Sequence, residues 1–145
     1  MNVSFRDAQL DDKEFILEAH KEINQVSGLS ESHFSENIDR DLFQNKICKV
    51  IIAEVNRECV GFLLYSYLYF ADSGRGIYLS QAYVKDEYRK QGLLRQMLEE
   101  LETREKDCNF IMDFVGKENK VMMHALDRLE FYSSDMITYY RKRQK

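Results

Sequence analysis

Tyr88-Arg89-Lys90-Gln91-Gly92-Leu93-Leu94-Arg95 is the stretch that decides the fold. Behind it, Ile77–Val84 is rich in β-formers and reads as a strand. Ahead of it, Leu93, Leu94, Met97, Leu98 and Leu101 recur at helical spacing and predict a helix from about Gln91 to Lys106. The octet is therefore a strand-to-helix junction. The first N–H groups of a helix have no partner within it, point outward and carry partial positive charge, which makes an anion site. Gly92 has no side chain to keep a phosphate from the backbone, and Arg89, Lys90 and Arg95 add formal charge. A diphosphate fits these features, and so does a plain solvated basic cap. The glycines of the P-loop and of the dinucleotide fingerprint are absent.

Working outward, Val3–Arg6 alternates as a short edge strand. Asp11 or Asp12 can cap a helix to about Val26, with Phe15, Ile16, Ala19, Ile23 and Val26 on one face. Ser27-Gly28-Leu29-Ser30 breaks it, and Ser30 can cap a second helix to about Leu42. Ile47–Val55 and Cys59–Phe70 are strands joined at Asn56-Arg57-Glu58, and 72–76 turns the chain into the Ile77–Val84 strand. After the central helix, Phe110–Val115 reads as a strand and Lys117–Leu129 as a helix with Val121, Met122, Ala125, Leu126 and Leu129 on one side. Phe131–Ser133 and Met136–Arg141 are expected to close the chain as strands. A meander feeding a β-α-β-α unit implies an α/β (α+β) fold. Its sheet is expected to be mixed, mostly antiparallel and of about six or seven strands, with helices on both faces.

The 145 residues suit one domain, 1–145, with one core, and 44% hydrophobic with 32% charged residues is the composition of an ordinary globule. Asn2 through Lys13 carries acids and no apolar h-region, and no run is long enough to span a bilayer, so a cytoplasmic protein without membrane contact is expected. Cys48, Cys59 and Cys108 are odd in number and lack C-x-x-C spacing, which fits free thiols in a reducing compartment. His20, His33 and His124 have no local ligand partners, so no metal is expected. Residues 1–45 hold ten acids and four bases, which reads as an ordinary acidic helical surface or as a face for a cationic substrate. The only dense basic cluster is Arg141-Lys142-Arg143-Lys145, which disfavours nucleic acid.

Ala82-x-Val84-x-x-x-Tyr88-Arg89-x-x-Gly92-x-Leu94 resembles the acetyl-CoA loop of the GNAT superfamily of N-acetyltransferases. The resemblance runs from about residue 45 to 131. It takes in Val60-Gly61-Phe62 and Gly74-Arg75-Gly76-Ile77-Tyr78-Leu79, the latter similar to the polyamine and thialysine acetyltransferase branch. It implies a splayed sheet and transfer of an acetyl group from acetyl-CoA to a primary amine, by direct attack in a ternary complex. The acceptor would be a small cationic amine, a polyamine or a lysine-like side chain. The backbone of Ala82, Tyr83 and Val84 would pair with the pantetheine arm, with a strand N–H near Val84 holding the oxyanion. Arg89, Lys90, Gln91, Gly92, Leu93, Leu94 and Arg95 would wrap the diphosphate, and Asn119 would bond the arm or simply start its helix. Homodimers are common in the family.

The sequence also departs from the family. Leu94 replaces the second small residue of the loop, and Glu130 the glycine before Phe131. Leu126 stands where the family carries the tyrosine that protonates the thiolate. Ser80 and Gln81 stand where the polyamine branch has two acids, and neither can take a proton from an ammonium at neutral pH. Tyr132 and Tyr83 are the candidate substitutes, water is another, and His124 falls on the wrong side of its helix. Tyr65, Tyr67 and Tyr69 share a strand face and either flank the acceptor or pack the core. The competing reading is a CoA-binding module with little or no transferase activity, acting as a sensor or interaction protein.

Overall fold

The computed structural model describes residues 1–26 and 32–143. Contacts divide the chain into two units, Met1–Phe114 and Val115–Lys145. The first holds one five-stranded sheet in the order of the chain: β1 (Val3–Asp7), β2 (Lys49–Val55), β3 (Glu58–Phe70), β4 (Gly74–Val84) and β5 (Ile111–Met112). The first three pairings are antiparallel and β4–β5 is parallel, so the sheet is mixed as the order of elements implied. The fold class stands, with five strands rather than six or seven.

Helices cover both faces of this sheet. On one face Ile16 and Ala19 of α1 (Lys13–Val26) join Ile38 of α2 (His33–Ile38) and Leu42 of the π-helical turn Asp39–Gln44. Together they bury Val50, Ile52, Phe62 and Leu64. Alternation along the strands sends Ile51 and Leu63 to the other face. There α3 (Leu93–Arg104) buries Leu93, Met97, Leu98 and Leu101. This is why Val60–Tyr65 reads as a continuous apolar run: both of its faces are covered.

Several expected boundaries shift. Asp12 lies in a 3-10 turn, Leu10–Asp12, ahead of α1, where its carboxylate accepts the Gln9 N–H at 2.7 Å. Val26 is 85% exposed and leaves the apolar face. Ser30 lies outside the described residues, and the observed cap of α2 is Ser32, accepting from the Ser35 N–H at 3.3 Å. The 110–115 strand shrinks to the two residues that reach β4.

The second unit contains α4 (Lys120–Arg128), with Leu126 buried and Val121 exposed. Residues 131–143 form no strand. Phe131–Ser133 and Met136–Arg141 alternate as strands do, but a strand exists only through its ladder, and no ladder includes them. Among the described residues no helix is long and apolar enough to cross a membrane.

Candidate acetyl-donor and acceptor sites

β4 and β5 part almost as soon as they meet. Their register covers only Ile77↔Ile111 and Tyr78↔Met112, so among the described residues no strand pairs with Leu79–Val84 on that side. On the other side β3 opposes Leu64 to Gln81 and Tyr65 to Leu79, which leaves Ser80 as a bulge residue. The Lys85 N–H turns back to the Val60 carbonyl at 2.8 Å. Since N–H groups alternate edges along a strand, those of Ala82 and Val84 face the unpaired side. The Val84 carbonyl is already taken by Arg89 Nε at 2.7 Å.

The loop then delivers the start of α3. Lys90 and Gly92 have φ of 60° and 81°, both left-handed. Gly92 serves as the N-cap without a side-chain bond, and a Cβ there would meet nothing within 4 Å. The glycine is therefore needed for its backbone angle and for leaving the helix end open, not for relief of a clash. The first N–H to reach back is that of Gln96, to the Gly92 carbonyl at 3.1 Å. Among the described residues the N–H groups of Leu93 and Leu94 thus have no intrahelical partner and point out of the helix end.

The basic side chains divide. Arg89 is turned back: besides Val84 it pairs with Asp86 and, at 3.5 Å, with Glu22 of α1. Gln91 Nε2 donates to the Glu87 carbonyl at 2.8 Å. Lys90 and Arg95 are exposed at the helix start. The loop therefore offers an anion its backbone and the Lys90 cation, with Arg89 holding the loop to β4.

Tyr83 faces α1. Its ring stacks on Phe62 at 5.9 Å and meets Phe15 edge-on at 6.1 Å, and its hydroxyl donates to Glu22 Oε2 at 2.8 Å. Burial first, then that carboxylate, push its pKa up to about 12. In the second unit, Asn119 caps α4 by accepting from the Met122 N–H at 3.2 Å, and Tyr132 is 91% exposed. Tyr65 and Tyr67 both donate to Glu105 Oε1, at 2.9 and 2.6 Å, while Tyr69 is 77% exposed. The tyrosine row thus ends partly in a polar cluster and partly in solvent.

A cleft of about 310 Å³ opens on the α2 side of the sheet, lined by Phe34, Asp41, Leu64, Ser66, Tyr78 and Ser80 among others. It reaches the bulge where β4 loses its neighbour. Two groups near it carry chemistry that the sequence reading passed over. Asp113 follows β5 directly, and burial raises its carboxyl to about 6. His20 of α1 is buried beside Gln81 of β4, with Nδ1 2.8 Å from Gln81 Oε1. Neither sits in a local motif. Both become notable only when the sheet brings distant segments together.

The three cysteines are unpaired and half-buried, and burial raises the pKa of each. Among the described residues no group of histidines, cysteines and carboxylates could hold a metal ion.

The sequence matches the Acetyltransferase (GNAT) family over residues 13–131. Among curated proteins none matches it at a significant level. A possible acetyltransferase from Clostridium difficile 630 has a TM-score of 0.85 at 18% identity, with 100% of both chains covered. AAC(6')-Iy, solved with the bisubstrate analogue CoA-S-monomethyl-acetylneamine, has a TM-score of 0.79 at 17% identity, covering 99% of this chain and 100% of that one. A predicted acetyltransferase from Clostridium acetobutylicum, solved with acetyl-CoA, has a TM-score of 0.76 at 17% identity, covering 97% and 96%. These structures show the fold, and the match over 13–131 shows the family. The chain belongs to the acetyltransferase (GNAT) family.

Proposed function

We propose that the chain is an N-acetyltransferase that takes its acetyl group from acetyl-CoA and gives it to a small primary amine. The observation that carries this reading is a conjunction: an edge from Leu79 to Val84 that pairs with no strand among the described residues leads directly into a helix start where Leu93 and Leu94 present their N–H groups outward. The edge offers the peptide groups of Ala82 and the N–H of Val84 to an amide-bearing arm, as an added strand would use them. The helix end, with Lys90 and Arg95, offers a diphosphate N–H donors and positive charge. The N–H of Val84 is also the donor suited to an oxyanion formed on the thioester carbonyl. The Clostridium acetobutylicum protein that shares the fold was solved with acetyl-CoA, which supports the same assignment.

The acceptor belongs in the cleft at the Ser80 bulge, where the ring of Tyr78 suits a cationic group; Asp41 at its wall is already paired with Arg40 at 2.7 Å. The two acids of the polyamine branch are absent at Ser80 and Gln81, so a polyamine shares this assignment with lysine-like and aminoglycoside amines. The AAC(6')-Iy complex with its neamine-derived analogue supports an amine of that size. The amine attacks the thioester directly, since no cysteine lies on β4 or in the Arg89–Arg95 loop to carry the acetyl group.

Calorimetric titration with CoA tests the donor site. Wild type is expected to bind, and Gly92→Glu to bind at least tenfold more weakly. That variant forces a side chain into a left-handed angle and sets a carboxylate in an anion site. No heat with millimolar CoA on wild type overturns the reading. Tight CoA binding with no acetylation of polyamines, lysine analogues or neamine points instead to a CoA-binding module.

A further inference from the structure

His20 is the one histidine buried in the described core, only 6% exposed, and every polar atom of its ring is engaged. Nδ1 lies 2.8 Å from Gln81 Oε1, an oxygen that can only accept, so the ring carries its proton on Nδ1. Nε2 is then an acceptor. It receives the Ser32 hydroxyl in a short hydrogen bond and, more loosely at 3.2 Å, the Asn24 amide. The face of the ring is held by Phe34, edge-on at 5.2 Å. Gln81, His20 and Ser32 thus form a directed chain: amide oxygen, imidazole, hydroxyl.

One end of that chain lies on the strand of the unpaired edge, and the other is next in sequence to residues of the cleft. Gln81 flanks the Ser80 bulge and precedes Ala82 of the unpaired edge. Ser32 is partly exposed and immediately precedes His33 and Phe34, which line the cleft assigned to the acceptor. The Ser32 oxygen has two lone pairs, one of which accepts the Ser35 N–H at 3.3 Å. Among the described residues nothing else donates to it, which leaves the other for an incoming N–H. β4 itself supplies no base, because Ser80 and Gln81 cannot hold an added proton at neutral pH.

Resting on the acetyltransferase reading, we propose that Ser32 and His20 together remove the proton that the acceptor amine must shed, Ser32 Oγ receiving it and His20 Nε2 holding it. As the amine nitrogen bonds to the acetyl carbon, its N–H proton passes to Ser32 Oγ while the Ser32 hydroxyl proton passes to His20 Nε2. The carbon–sulfur bond then breaks and its electron pair leaves on the CoA sulfur, which takes a proton from solvent. The imidazolium returns its proton outward through Ser32, so serine and histidine end as they began. Ser32 touches substrate in this scheme. His20 acts through it, positioned by Gln81.

The test uses the full chain, acetyl-CoA and the best acceptor among spermidine, lysine and neamine, reading thiol release. His20→Gln keeps polar atoms in place but cannot hold the proton. It is expected to lower kcat about a hundredfold, the low end for general-base catalysis, with the CoA Kd and both KM values within about threefold. Ser32→Ala should match it, and Ser32→Thr, which keeps the hydroxyl and the helix cap, should recover activity to within about tenfold of wild type. Unchanged kcat in His20→Gln overturns the proposal. So does a Ser32→Thr variant as inactive as Ser32→Ala, or a loss that comes with weakened CoA binding and a lowered melting temperature, since both signal a structural role. A wild type that binds no CoA, or that acetylates none of the three amines, fails before any variant is made and overturns the parent reading together with this one.

Discussion

Two aspartates give the protein opposite responses to pH. Asp12 is buried against Arg6, whose Nη1 and Nη2 donate to its two oxygens at 2.7 and 2.8 Å, and this pairing holds its carboxyl below the usual range. Its stabilisation is present above the unfolded pKa of about 4 and is lost as pH falls through the lower folded value. Asp113 behaves the other way. Burial raises it to about 6, so its contribution is present below about 4 and is lost as pH rises toward 6. Denaturant unfolding should show these two contributions peaking together near pH 4. Asp113→Asn should gain about 1 kcal/mol at pH 7.5, allowing for the solvent that still reaches the group, and should flatten the fall between pH 4.5 and 6.5. At this scale the sequence was uneven. Gly92 was legible as the helix-start residue without a side chain, a local feature, while its left-handed φ appears only in the fold. The inward turn of Arg89 was not, because Glu22 lies 67 positions away, and the His20–Gln81 contact spans 61.

Among the elements, β4 carries the proposed donor site, and its shape is set by its neighbours. Gly61 of β3 is a close approach to it: a Cβ there would stand 2.6 Å from the Tyr83 carbonyl and 3.4 Å from Met97 Sδ of α3. Gly61→Ala should cost about 2 kcal/mol by overpacking, read in urea unfolding, and should weaken CoA binding by displacing the Tyr83–Val84 backbone. The strands themselves were read well, because the apolar runs Lys49–Val55 and Glu58–Phe70 have one plausible state. The Ser80 bulge was not, since register belongs to a pair of strands and no single strand encodes it. Residues 131–143 failed in the opposite sense: their alternation satisfies a strand pattern while no ladder receives it.

For the whole molecule, family and donor were legible from the junction outward, while proton transfer was hidden in contacts between distant segments. If CoA binds the folded chain alone, it must stabilise it by mass action. CoA at a hundred times its Kd should add about 2.7 kcal/mol, a rise in melting temperature of roughly 5–10 °C for a chain of this length. A flat melting temperature across that range, with binding seen by calorimetry, would mean that unfolded chain binds too.

The gap between β4 and β5 has one more consequence. A strand edge that pairs with no strand among the described residues from Leu79 to Val84 is a template for any other extended chain. Arg89 blunts its far end by occupying the Val84 carbonyl, and the Ser80 bulge breaks its regularity. What is left is short, and on the proposed function a bound cofactor would cover it. Added CoA should then reduce self-association of the protein as well as raise its melting temperature, through the same six residues of backbone.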